Sequence, residues 1–537
     1  MEIDGCDENY SLSLEKAYIA STETIVIYKT LFELLTKRKE QRGNDEAFVW
    51  YTKSLNRITL TYNEWYQKSL TAASNLSSTI RKGDLVCVFC NNGINPVVAL
   101  TALQILGAKT CIVAAERHLE SICNVFNFKA IFLGKDFLTD NVRAVIKDVD
   151  KMFLLDGESN EGQINFEMLL EKEDSDFINN LPVVNPDDVT LLLLSSGSTG
   201  MPKLICKDQM AIVHMAVSMW KLTKTKNLFN DRTLAHLGGL FSVFSSAMGQ
   251  TIVSTTVPMA KTSENILEIC QNEKIEAAFF VLFFFYDLVA MKDKIGESLK
   301  DLKVITTGGQ IPIKSVINKF RQIFPYIHIY DVYGSTEVSM AFSKNLTNVD
   351  DFFISTTQEI SIRDENGRIV KRNENGEVWI RPHYGFHGYF GKESTAALSW
   401  QRMSDIGYIT TKGRLEILGR TTDQLHIGML KVNPFIYEEK INELNEIEKA
   451  VIIGIPDERL GETMCVVVKF TKEYLANTCL EKAEEFLMKW CSKNLKGNEN
   501  LGLIVKVARI HVLKEEWPRT SLGKLIRKDV QRLVLEK

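Results

Sequence analysis

No stretch of this 537-residue chain is apolar for long enough to cross a bilayer. Positive charge is not in excess either. Lys and Arg number 64 against 68 Asp and Glu, a net charge of −4, which excludes nucleic acid as the main partner. The N-terminus, Met1-Glu2-Ile3-Asp4-Gly5-Cys6-Asp7-Glu8, is acidic and has neither the basic start nor the apolar stretch of a signal or transit peptide. The end, Leu535-Glu536-Lys537, lacks the S-K-L address. Ten cysteines are few for this length and make no disulfide framework. Cys87-Val88-Phe89-Cys90 has C-x-x-C spacing but sits in a stretch that reads as a strand, where residues three apart face opposite sides. Buried, reduced thiols and a cytosolic setting are expected. The Walker pattern G-x-x-x-x-G-K-[ST] is absent as well.

What is present begins with length. At 61.0 kDa the chain exceeds what one hydrophobic core serves, and its 45% hydrophobic and 25% charged residues suit a soluble globular protein. Val189-Thr190-Leu191-Leu192-Leu193-Leu194 reads as a strand buried on both faces. It runs into Ser195-Ser196-Gly197-Ser198-Thr199-Gly200-Met201-Pro202-Lys203. Glycines let backbone N–H groups turn towards an anion, the hydroxyls add donors, and Lys203 adds charge. The stretch has the chemistry of a phosphate loop.

The flanking sequence alternates strand and helix. A helix is expected from Tyr28 to Lys39, another with Thr61 or Asn63 as cap, a strand over 85–90, a helix over 95–106 ending at Gly107, and a strand over 109–114. Such alternation predicts βαβ units and parallel sheet. Ala277-Ala278-Phe279-Phe280-Val281-Leu282-Phe283-Phe284-Phe285-Tyr286 reads mostly as packed core, with some rings available to an apolar pocket. Val304-Ile305-Thr306-Thr307-Gly308-Gly309-Gln310 and Ile327-His328-Ile329-Tyr330-Asp331-Val332-Tyr333-Gly334-Ser335-Thr336-Glu337 are strands that run into glycine turns.

S-S-G-S-T-G-x-P-K, with Y-G-S-T-E at 333–337 and P-R-T-S-L-G-K at 518–524, resembles the adenylate-forming superfamily: acyl-CoA synthetases, coumarate–CoA ligases, luciferases and peptide-synthetase adenylation domains. The resemblance covers nearly the whole chain. It implies an α/β fold, with a large N-terminal domain of βαβ-type sheets and helices (residues 1–420) and a small C-terminal α+β domain on a hinge (421–537). It implies ATP, Mg²⁺ and CoA. Ser195, Ser196, Gly197, Ser198, Thr199, Gly200 and Lys203 would hold the ATP phosphates, and Gly308 and Gly309 would let backbone approach the nucleotide. Tyr333, Gly334 and Ser335 would line the adenine and phosphate site, Thr336 would reach the α-phosphate, and Glu337 would hold Mg²⁺. Asp405 and Arg420 would reach the ribose, His236 would lie near the carboxylate substrate, and Lys524 would be the catalytic lysine.

Departures accompany the match. Leu204 stands where the family has Gly after the loop lysine. In the hinge segment Thr422, His426 and Met429 replace the usual residues, and Leu282-Phe283 replaces a Pro-Thr pair. The small domain is expected to carry a helix over 436–444 with Glu438, Glu439 and Lys440 on its wet side, a strand over 450–455 and a helix over 480–493. The activity implied is activation of a carboxylic acid (fatty, aromatic or amino acid) as acyl-adenylate, then thioester formation with CoA or another thiol. Luciferase-type oxidation, carrier-protein loading and nucleotide binding without catalysis stand as alternatives.

Overall fold

The computed structural model describes residues 10–12, 18–21, 28–113, 115–159, 162–171, 175–195, 203–257, 263–348, 350–355, 358–391, 399–428, 430–495, 506–519 and 525–536. Local signals set the first elements. Thr61 caps the helix Tyr62–Leu76, and its hydroxyl and Glu64 form a reciprocal capping box. The helix Ile94–Leu106 stops at Gly107, whose φ of +70° is left-handed. It lies between the strands Leu85–Phe89 and Lys109–Ile112, which pair in parallel, as a βαβ unit requires.

Among the described residues the strands form four sheets. In the seven-stranded sheet, Val189–Ser195 lies between the parallel Lys109–Ile112 and the antiparallel edge strand Lys203–Asp208. Helices cover the sheet, so Leu191, Leu192 and Leu193 are all buried. The nine-stranded sheet is parallel through its centre and antiparallel towards both edges, with His328–Ser335 and Ser339–Asn345 paired near one of them. A six-stranded antiparallel sheet carries Gln401–Ile409 and Leu415–Arg420. The fourth, five-stranded sheet is built from residues after 424, and its two apolar clusters draw only on Leu425 and beyond. The molecule is therefore a large α/β body with a small α+β domain at its C-terminal end.

The reading of the aromatic stretch as mostly packed core holds, and one other reading changes. Phe280, Phe284 and Phe285 pack in a core cluster with Ile305 and Phe320, so these rings fill the interior. Glu438 is not on the wet side of its helix, Pro434–Asn442. It is buried, pairs both oxygens with Arg527 (Nη1 2.5 Å, Nη2 2.7 Å) and accepts from the Ile452 amide at 2.6 Å. A buried carboxylate needs such partners. Cys87 and Cys90 carry free thiols, and burial pushes both well up, so neither is a reactive thiolate.

Candidate active site

In open α/β sheets, ligands gather at the carboxyl ends of the strands. Val189–Ser195, Val304–Gly308 and His328–Ser335 bring the predicted motifs there. The register of the first pair ends on Ser195 opposite Lys203, so the two ends of the Ser/Gly-rich segment lie side by side. Ser196, Gly197, Ser198, Thr199 and Gly200 lie outside the described residues, and of Ser195 only the backbone is described.

The Y-G-S-T-E motif closes the hairpin between His328–Ser335 and Ser339–Asn345. The register shifts at Tyr333/Gly334, a bulge that brings the chains very close. A Cβ on Gly334 would stand 1.8 Å from the Ser339 carbonyl oxygen, so only glycine fits. Thr336 and Glu337 occupy the turn, half-buried. Ser335 Oγ donates to Glu337 Oε2 at 2.9 Å, and Tyr389 Oη donates to Oε1 at 3.4 Å. Lys203 Nζ lies 4.9 Å from the Tyr389 ring centroid, a cation–π distance. One chain of contacts thus joins the end of the Ser/Gly-rich segment to the Glu337 carboxylate.

Behind the turn stands Lys207, almost fully buried. Its Nζ donates to the Glu337 carbonyl at 2.6 Å and to Ser339 Oγ at 3.1 Å. Burial lowers its titration to about 8, although Asp208 and Glu337 oppose this. Asp208 caps the next helix, Gln209–Thr223, through the Ala211 amide at 2.7 Å and meets His387 Nε2 at 2.7 Å. That hydrogen bond raises the His387 pKa. Backbone bonds between residues 387–390 and Leu204 and Cys206 seat Tyr389 beside Glu337.

A second group forms on the six-stranded sheet. Asp405 and Arg420 are register partners and pair at 2.9 Å, and Tyr333 Oη donates to the same carboxylate at 2.6 Å. Burial and Asp405 push the Tyr333 phenol far above its ordinary range, so it stays a donor. Gly308 pairs with Val332 alongside, and Gly309 adopts φ +79° facing open space.

His236 stands apart from these contacts. His236 precedes the helix Leu237–Ser246, and its imidazole makes no hydrogen bond among the described residues. Burial, with Arg232 and His118 nearby, lowers its pKa to about 4. Lys524 lies outside the described residues. Its flanks do meet: Arg519 bridges Leu525, and the Ile526 amide donates to the Pro518 carbonyl at 2.9 Å. Sequence reasoning missed Lys207, Asp208 and His387. A lysine inside an otherwise apolar strand was the available signal for the first.

The family model for AMP-binding enzymes matches residues 35–390. The chain belongs to the AMP-binding enzyme family. Its relatives include YdaB of Bacillus subtilis (strain 168), named as an acyl–CoA ligase, which is 26% identical over 499 residues, covering 88% of this chain and 94% of YdaB. Among solved structures, the anthranilate CoA ligase AuaEII in complex with anthranoyl-AMP superposes with a TM-score of 0.77 at 17% identity, covering 96% of this chain and 99% of that one. ATP-bound MatB from Rhodopseudomonas palustris gives 0.79 at 17%, covering 95% and 99%. These neighbours share the large N-terminal and small C-terminal arrangement, and the chain has the fold of an adenylate-forming enzyme.

Proposed function

We propose that this member of the AMP-binding family uses ATP to convert a small carboxylic acid to its acyl-adenylate and then passes the acyl group to the thiol of CoA. The acid's carboxylate attacks the α-phosphorus, a P–O bond forms, and pyrophosphate leaves. The thiol sulfur then takes the acyl carbon and AMP leaves. The observation that carries this reading is two groups of contacts that share the Y-G-S-T-E motif: Lys203 with Tyr389 and Tyr389 with Glu337, and Tyr333 with the Asp405–Arg420 pair. Phosphoryl chemistry of this kind needs placement and charge compensation more than covalent help.

In this reading Lys203 and the hydroxyls of Ser195, Ser196, Ser198 and Thr199 steady the leaving pyrophosphate, with Gly197 and Gly200 opening the backbone to it. Thr336 reaches the α-phosphate, Gly308 and Gly309 admit the adenine beside Tyr333, and Asp405 and Arg420 take the ribose. His236 stands by the acid, and Lys524 neutralises charge as the adenylate forms. Mg²⁺ suits the donor set. The cation takes oxygen ligands, often one carboxylate plus substrate phosphates, and Glu337 offers a half-buried carboxylate linked through Tyr389 to Lys203. Bound there, it would offset phosphate charge.

The segment after Arg420 supports a small domain that swings between the two half-reactions, with residues 1–420 and 421–537 as the units. Acid-dependent pyrophosphate release, followed by acyl-CoA detection, tests the proposal. ATP bound without turnover over a broad panel of carboxylates would instead indicate a nucleotide-binding protein without catalysis.

A further inference from the structure

The adenylation chemistry above gives no part to Lys207, the least expected side chain near the Y-G-S-T-E turn. It is 1% exposed, and its chain neighbours Cys206 and Asp208 are buried as well. A buried ammonium is costly without compensation. The Asp208 and Glu337 carboxylates supply negative charge nearby. Yet the two hydrogen bonds that Nζ makes among the described residues go to neither carboxylate. They go to the Glu337 carbonyl at 2.6 Å and to Ser339 Oγ at 3.1 Å, one on each side of Val338.

These bonds cross from one sheet to another. Lys207 lies opposite Leu191 in the seven-stranded sheet, and the hairpin that it holds belongs to the nine-stranded sheet. The strand of Lys207 opens with Lys203, four residues earlier. Residues four apart in a strand point to the same side, so Lys203 leaves the strand on the side where Lys207 meets the hairpin. The turn itself needs holding. Ser339 adopts φ +60°, a left-handed conformation that is costly for a residue with a Cβ. Its carbonyl oxygen is pressed against Gly334. The neighbouring Val338 carbonyl is tied as well, by Gln358 Nε2 at 2.8 Å. With this backbone fixed, Ser335 and Tyr389 have only the Glu337 side chain left to aim.

We propose that Lys207 is a positioning residue for the cation: it fixes the Glu337 carboxylate relative to Lys203, so that the cation met by one and the pyrophosphate steadied by the other share a single geometry. The inference rests on the adenylation reading and assigns a residue that acts through Glu337. Groups that orient a metal-binding side chain without touching the metal typically change its affinity by about 10–100-fold when removed.

The test measures ATP binding to the full chain by calorimetry, without cation and with saturating Mg²⁺, beside Mg²⁺ titrations of acid-dependent pyrophosphate release. In the wild type Mg²⁺ should tighten ATP binding. Lys207→Met should lose about tenfold or more of that gain. It should need correspondingly more Mg²⁺ for half-maximal release, with KM for the acid unchanged. Ser339→Ala keeps the ammonium and removes one of its two partners, so it should shift in the same direction by less; it decides the case if Lys207→Met does not fold. In a Glu337→Gln background Lys207→Met should add no further shift, because the carboxylate it acts through is already gone. A merely structural lysine would lower the fraction of active protein and leave the Mg²⁺ gain where it was. An unchanged gain in either variant, no gain in the wild type, or an undiminished further loss in the Glu337→Gln background overturns the inference and leaves adenylation standing. No release with any acid by wild type that binds ATP overturns the adenylation reading and this inference with it.

Discussion

Glu337 and Lys207 meet at one turn, where Lys207 holds the Glu337 carbonyl. Glu337 presents its carboxylate to Ser335 and Tyr389, outside the apolar clusters. Glu337→Gln should therefore keep the fold, with a melting midpoint close to wild type, while acid-dependent pyrophosphate release falls on the order of 10²-fold at limiting Mg²⁺. An unchanged rate under those conditions removes Glu337 from the cation site. Lys207 carries a stability prediction. In the folded chain it loses its proton near pH 8; unfolded, it holds that proton to its ordinary value of 10.5. Between those values the unfolded state binds more protons, so stability from this group rises with pH. Denaturant midpoints of wild type and Lys207→Met, compared from neutral to alkaline pH, should shift in favour of the wild type across that window. A constant difference would mean the ammonium titrates normally. The buried role of Lys207 was not legible in the sequence. It sits in an apolar run, where periodicity assigns a face but not the partner, and its partners come from the hairpin more than 100 residues away.

Helices and strands were legible where a local signal fixes them. Thr61 with Glu64 announces a helix start, Gly107 announces a stop, and the Val189–Leu194 run announces a strand between two others. The helix Pro434–Asn442 shows where that runs out. Its consecutive charges look alike in sequence, yet Glu438 turns inward because Arg527, near the far end of the chain, waits for it. Arg527 also holds Asp423 at 3.2 Å, tying the short helical turn Thr421–Asp423 to the C-terminal helix Arg527–Leu535. Removing one partner of a buried pair leaves an uncompensated charge and costs about 3–5 kcal/mol. Glu438→Met should therefore lower stability by about that much, read as a shifted denaturation midpoint. A Glu438→Met, Arg527→Met double variant should recover part of it, because both charges then leave together. A double variant as unstable as the sum of the singles would show that the two residues do not act as a pair.

Over the whole molecule, the account rests on two bodies of the chain and on Lys524. The apolar clusters on either side of residues 415–425 are separate, which supports a joint there. Limited proteolysis is expected to cut near 420–424 and to leave two folded fragments; first cuts spread through the 425–512 sheet would argue against that joint. The sequence motifs could propose phosphate- and ribose-binding residues because the Ser/Gly-rich segment and Y-G-S-T-E are contiguous. They could not name the acid. The most direct test of the central claim is carboxylate-dependent ATP–pyrophosphate exchange by wild type and Lys524→Ala. The account predicts exchange in the wild type that depends on an added acid. It predicts a loss on the order of 10²–10³ in Lys524→Ala, while transfer of a supplied acyl-adenylate to CoA is largely kept. Exchange at the wild-type rate in Lys524→Ala, or none in the wild type with any acid, would contradict it.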